Sequence, residues 1–196
     1  MAVTLTTPNT ILGVLEPKST TERLLSNVAM VLIGTLLITA AAKINVPTWP
    51  VPVTLQSFAV AALAGAFGWR IGTATVIAYL IEGAIGLPFF APGGAPGLLR
   101  FFGPTGGYLV AFPAAAFVTG AFAEHGWDKR YPTAVAAMAI GSAIIFLGGW
   151  AWFSVVTNTP PVAGFKIAVL PFLAGDVIKI ALAAAVLPTG WALLKK

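Results

Sequence analysis

The sequence predicts an all-α integral membrane protein with six transmembrane helices and cytoplasmic N- and C-termini, and three observations carry that prediction. Of the 196 residues, 58% are hydrophobic and only 9% are charged, where a soluble domain carries about 25% charged residues. Six apolar stretches, separated by Pro, Gly or charged residues, follow one another along the chain. The basic residues between them fall unevenly on alternate sides. A mean hydropathy of +0.93 agrees. With no Cys and a single His, His125, the composition excludes disulfides, thiolate chemistry and any cysteine-ligated or multi-histidine metal site. No metal, cofactor or catalytic residue is expected. The 11 basic residues are scattered singly, so the net charge of +5 is read as a topology signal and not as a nucleic-acid surface.

Residues 1–23 are expected to be a cytoplasmic N-terminal segment, and residues 24–196 a single membrane domain. The first 22 residues contain Pro8, Glu16, Pro17 and Glu22 and no apolar core, unlike a secretory signal, so the first span is expected to be retained. Spans of roughly 17–25 residues, with shorter ones allowed against protein neighbours, are predicted at Leu24–Ile44, Val53–Phe67, Ile71–Gly86, Gly107–Ala123, Thr133–Val156 and Phe165–Leu194. The second and third are short and divided only by Gly68-Trp69-Arg70, where two helices and one kinked helix are hardest to tell apart. With the N-terminus inside, the inner side holds Lys18, Arg23, Arg70, Lys129, Arg130, Lys195 and Lys196, and the outer side Lys43, Arg100 and Lys166. Seven against three satisfies the positive-inside bias. The polar stretch Glu124 to Pro132 becomes the central cytoplasmic loop, where His125 is read as solvated. No internal repeat stands out, which argues against an inverted-repeat carrier.

An Asp or Lys at the bilayer centre costs about 2.5–3.5 kcal/mol on insertion scales, so each intramembrane charge calls for a partner, a cavity or a role. Asp176 and Lys179 stand three apart in PFLAGDVIK, on one face of a helix. They either neutralise one another as glue between helices or form a ligand site in the outer third of the bilayer. Glu82 interrupts the third span near its outer end, as a pocket acceptor or as an interfacial carboxylate paired with Arg100 or Lys43. Lys43 is read as a snorkelling headgroup contact.

The segment from Gly86 to Gly107, GLPFFAPGGAPGLLRFFGPTGG, has seven Gly and four Pro among its 22 residues, so it is not a regular helix. Its four Phe make it too apolar for a plain solvated loop, and irregular backbone near a membrane is tolerated where it lines a cavity. It is read as a pocket wall. Arg100, its only charge, is either a headgroup anchor or a fork for a carboxylate arriving from outside. In the Pro-stiffened loop Asn45 to Val53, Trp49 is either a lid over the pocket or an interfacial aromatic. Gln56 offers an amide donor and acceptor just inside the second span, as ligand contact or helix glue.

The motifs VPVTLQ (51–56), EGAIGLPFFA (82–91), GPTGGYL (103–109) and AGDVIK (174–179) together resemble BioY, the family of biotin-binding S components of energy-coupling-factor (ECF) transporters. The resemblance runs from about Leu24 to Pro188. It implies a six-helix protein of a bacterial-type inner membrane that captures biotin from outside. It also implies partners, a membrane coupling subunit and two cytoplasmic ATPases that power uptake, and it is compatible with a homo-oligomer and with members that work without those partners. Carried over residue by residue, it assigns biotin contacts to Asp176 and Lys179 first, and then to Arg100, Glu82, Gln56 and Tyr108. One departure stands out: the small-xxx-small pattern by which the family's first helix docks its coupling subunit has no Ala-xxx-Ala match between Leu24 and Val46. Thr35 and Thr39 are the nearest small pair.

Two rival functions are weaker. An intramembrane enzyme using Asp176, Glu82 and Lys179 lacks any Ser-His-Asp or Asp-Asp arrangement at a shared depth. A lipid scaffold has no use for a charged pair beside a Gly/Pro/Phe loop. The chain has no phosphate-binding Gly-x-x-x-x-Gly-Lys-Ser/Thr loop, so energy must come from elsewhere.

Overall fold

The computed structural model describes residues 9–15, 19–48 and 50–194. Trp49, expected as a lid, and Lys18, Lys195 and Lys196, expected on the inner side, lie outside the described residues. The elements in order are α1 (Ile11–Leu15), α2 (Thr20–Lys43), β1 (Asn45–Val46), β2 (Val53–Thr54), α3 (Gln56–Ala84), a 3₁₀ turn (Gly97–Phe102), α4 (Gly106–Glu124), a second 3₁₀ turn (Trp127–Lys129), α5 (Tyr131–Val156), α6 (Pro161–Ala168) and α7 (Leu170–Leu194). Among the described residues, α2, α3, α4, α5 and α7 are the five helices long and apolar enough to cross a membrane.

The expected second and third spans form the two arms of α3, which reverses at Gly68. There φ is 80° and ψ is 173°, a conformation essentially confined to glycine. On a straight helix, at 1.5 Å per residue, Gln56 and Tyr79 would stand about 34 Å apart. Instead Gln56 Nε2 donates to Tyr79 Oη at 2.6 Å. The arms pack tightly near the turn, where a Cβ on Gly72 would lie 2.8 Å from Ala64 Cα. At that end the backbone N–H of Trp69 donates to Glu124 Oε1 (3.2 Å). Leu12 of α1 is buried there against Phe67 and Ile71.

The last expected span is two helices. Pro171 has no N–H, so Ile167 loses its helical donor, and the Phe172 N–H bonds Val169 O at 3.0 Å instead of reaching Ala168. The chain therefore breaks at Val169 into the short α6 and the long α7, with Pro171 in the first turn of α7. The first helix also starts earlier than the apolar pattern indicates, at Thr20.

In their most apolar stretches α3 and α4 are half buried, against 28% for α2 and α7, so α3 and α4 form the centre of the bundle. Ile38, Val60, Tyr79, Phe112, Ala115 and Ile145 meet in the main core. Small residues let α4 and α5 approach closely: a Cβ on Gly148 would lie 2.7 Å from Ala111 Cβ. The outward faces are apolar, with Leu24, Val28, Leu32 and Leu36 exposed on α2 and Val177, Leu182 and Val186 on α7. Asn27, Gln56, Ser142 and Asp176 are turned inward. That inversion of the soluble pattern suits a lipid solvent.

Candidate functional site

The connections at the end of the bundle opposite Gly68 build a cavity lined by apolar side chains with a few convergent polar groups, the usual form of a small-molecule site. Its floor and walls come from α3, α4, α5 and α7, and its rim from the β1–β2 hairpin and the Gly/Pro/Phe segment. The hairpin is a two-residue antiparallel pairing, Asn45 with Thr54 and Val46 with Val53. It leads directly into the first turn of α3 and so places Thr54, Gln56 and Ser57 on the cavity.

The Gly/Pro/Phe segment keeps its irregular course because side chains supply the donors that regular structure would have supplied. Three successive carbonyls each receive one. Tyr79 Oη donates to Phe89 O at 3.3 Å, Lys43 Nζ to Phe90 O at 2.8 Å and an Arg100 guanidinium nitrogen to Ala91 O at 2.7 Å. Lys43, itself exposed, thus clasps this loop. Phe90 sits against Gly83, where no side chain intervenes, and meets Tyr79 and Phe101 edge to face, each at 5.7 Å between ring centroids. Arg100 is 5% exposed, which excludes the headgroup anchor. Burial lowers its pKa from the ordinary value, yet a guanidinium stays charged in proteins, so one bond to Ala91 leaves its other N–H groups to donate.

Four of the six expected residues line the cavity: Gln56, Arg100, Tyr108 and Lys179. Lys179 reaches across from α7 to donate to Thr54 O at 2.6 Å, with Ser57 Oγ at 3.4 Å. Gln56 is held on both sides, by the Thr54 hydroxyl at 3.1 Å and by Tyr79. Tyr108 packs against Gly149 and donates its hydroxyl to Ala168 O, the carbonyl freed by the break before α7. Asp176 is buried, accepts a hydrogen bond from Ser142, and borders a smaller space that adjoins the cavity, Ser57, Ser142 and Lys179 lining both. The two members of the expected pair therefore engage different partners rather than serving only each other. Glu82 does not border either space. Its Oε2 is buried and unpartnered.

Sequence reasoning missed Ser142, Ser57, Tyr79 and the apolar walls from Phe112, Ile145, Phe146 and Phe172. Ser142 carried a signal, being a hydroxyl in the middle of an apolar span. The Phe residues carried none, since any lipid-facing residue reads the same way.

The BioY family model matches residues 15–196. The chain belongs to the BioY family. A probable biotin transporter BioY of Pyrococcus horikoshii is 37% identical over 157 residues, covering 80% of this chain and 90% of that protein. The biotin transporter BioY of Thermotoga maritima is 38% identical over 154 residues, covering 78% and 88%. Among solved structures, a crystal structure of the S-component for biotin from an ECF-type ABC transporter superposes with a TM-score of 0.75 at 26% identity, over 88% of this chain and 92% of that one. As a BioY family member with five long apolar helices, this chain is a multi-pass membrane protein of the transporter class, and the enzyme reading falls away.

Proposed function

We propose that this protein is the high-affinity biotin-binding subunit of an ECF-type transporter, which captures biotin at the outer face of a bacterial-type inner membrane. The observation that carries the reading is the cavity in which Lys179, Arg100, Gln56 and Tyr108 converge on apolar walls. Biotin is a ureido ring with two N–H donors and one carbonyl, fused to a sulfur ring with a chain ending in a carboxylate. It needs polar ends and an apolar middle. Lys179 and Arg100 are donors for its oxygens, Gln56 and Tyr108 complete the polar lining, and Asp176 borders the adjoining space. Glu82 has no part in this set.

Counting the two arms of α3 separately, the chain crosses six times and both termini are cytoplasmic. Arg23, Arg70, Lys129 and Arg130 then face the cytoplasm, and Lys43, Arg100 and Lys166 the outside. A membrane coupling subunit and two ATPases supply the energy. Thr35, one of the nearest small pair on α2, is buried, so docking through that helix would use other residues.

The test is equilibrium binding of biotin to detergent-purified protein, beside Lys179→Met and Asp176→Asn, with thermal unfolding of each. Tight binding by the wild type is expected, with a loss of roughly tenfold to a hundredfold in Lys179→Met, the size of a lost charged hydrogen bond, and weaker binding in folded Asp176→Asn. A folded wild type that ignores biotin overturns the reading.

A further inference from the structure

Val169 is the single residue between α6 and α7, and its φ of −124° and ψ of −56° take the chain out of the helix. Returning φ to its helical value, a rotation of about 60° at this one residue, would join the two helices into one. In the broken form the Phe172 N–H bonds Val169 O, so the carbonyl of Ala168, a residue with no exposed surface, needs another donor. Tyr108 Oη supplies it. In a continuous helix the Phe172 N–H returns to Ala168 O, four residues back. The tyrosine bond is therefore required in one form only, and a contact that differs between two forms is what shifts their equilibrium. The break also supports the cavity. Ala168 packs in one cluster with Val51, Phe153 and Phe172, and Tyr108 packs against both this cluster and the main core. Val51, Tyr108 and Phe172 all line the cavity.

We propose that Tyr108 is a positioning residue, whose hydroxyl serves the break between α6 and α7 and not the ligand, and so selects the form in which Val51 and Phe172 close on the cavity. The hydroxyl has a single proton, and Ala168 O takes it. Pro171 acts in the same direction, because it lacks the N–H that a continuous helix would present to Ile167. Two separate devices thus favour the broken form. A ligand that touches the walls made by Val51 and Phe172 binds this form better, and its affinity falls as the fraction of protein in this form falls. The effect on affinity rests on the biotin reading, whereas the effect on conformation does not.

The experiment uses full-length purified protein in detergent with spin labels at Lys166→Cys on α6 and Leu98→Cys on the first 3₁₀ turn, both exposed, in a chain with no cysteine of its own. The distance between the labels is measured without ligand, with Tyr108 and Pro171 intact and in Tyr108→Phe, Pro171→Ala and the two together, beside thermal unfolding and biotin affinity for each. The parent is expected to give one distance. A second, displaced population is expected in Tyr108→Phe and is expected to dominate in the double variant, whose biotin affinity falls roughly tenfold or more. Saturating biotin is expected to return Tyr108→Phe to the parent distance. This variant removes one oxygen from a ring seated against Gly149, so it decides the matter should the double variant fail to fold. Weaker biotin binding by Tyr108→Phe at an unchanged distance would put the hydroxyl on the ligand and overturn the proposal, as would the parent distance in every folded variant. If the wild type binds no biotin, the functional reading falls, while the distances taken without ligand still decide this proposal.

Discussion

Asp128 illustrates how strongly one residue's surroundings decide its behaviour in this chain. It stands in the turn between α4 and α5 and is only 2% exposed, accepting a hydrogen bond from Trp191 Nε1 near the end of α7. Its Oδ1 is buried with no partner. Burial raises its pKa above the ordinary value, outweighing the Trp191 bond and the nearby Lys129. An acid whose pKa is higher folded than unfolded binds more protons in the folded state, so the cost of its charge is absent at low pH and complete above the raised pKa. Asp128→Asn keeps an oxygen for Trp191 and removes that charge. At pH 8 the variant is expected to unfold at the same or a higher temperature than wild type, and the difference should shrink as pH falls through the raised pKa. A variant that is less stable at pH 8 would show that the charge contributes favourably. Nothing in the sequence distinguishes Asp128 from its neighbours in the EHGWDKRYP stretch; the difference is made by Trp191, 63 residues away.

At the scale of elements, the division of α3 and the break before α7 are the two features that form the site, and each has a local cause. Gly68 lets the chain reverse, which brings Tyr79 back beside Gln56 and puts both at the cavity end. An alanine there would need φ near +80°, and its Cβ would lie 2.6 Å from Glu124 Oε1 and 3.0 Å from Thr10 Cγ2. Gly68→Ala is therefore expected to cost about 1–3 kcal/mol, read as a lower unfolding temperature in detergent, with weaker biotin binding as Gln56 and Tyr79 are displaced. Unchanged stability would mean that the turn tolerates a side chain and that the reversal rests on packing alone. At the other feature, Pro171 removes the N–H that a continuous helix would need, and Tyr108 supplies a hydrogen bond to the neighbouring carbonyl of Ala168. Both elements were visible in the sequence as Gly68-Trp69-Arg70 and Pro171. A proline fits best in the first turn of a helix, as Pro171 does in α7, but the sequence left open whether Gly68-Trp69-Arg70 divides two spans or kinks one, because a glycine permits several geometries and packing selects one.

For the whole molecule, the arms of α3 decide sidedness. If α3 crosses once, the segments around Arg23 and Lys129 lie on opposite sides of the membrane; in the proposed arrangement, where each arm crosses, they lie on the same side. The chain contains no cysteine, so substituted cysteines can be labelled without background. Arg23→Cys and Lys129→Cys are expected to react with an impermeant thiol reagent from the same side, and Lys166→Cys from the other. Opposite labelling of Arg23→Cys and Lys129→Cys would establish a single crossing and undo the six-crossing arrangement. The apolar belt on α2 and α7 sets the same limit in energetic terms, since these helices bury the least of themselves in the bundle and depend on lipid or a partner to cover the remainder.

By itself the sequence determined the features that solvent and covalent chemistry dictate. Too few charges for a water-facing surface meant a membrane protein, the apolar stretches located the helices to within a few residues except for the last, which is broken in two, and the Gly/Pro composition excluded regular structure from the loop that became the cavity wall. It also singled out Gln56, Glu82, Arg100, Asp176 and Lys179, because a polar group in an apolar environment must find a partner or serve a purpose, whereas Tyr108 came only from the family resemblance. Only the tertiary structure decided which partner each one has. Lys179 donates to the hairpin backbone, Lys43 to the Phe90 carbonyl and Ser142 to Asp176, and Glu82 does not line the cavity. The physical reason is one of range: hydropathy and backbone permissiveness are properties of neighbouring residues, whereas a hydrogen bond acts over about 3 Å between groups that lie 34 to 125 residues apart in these contacts.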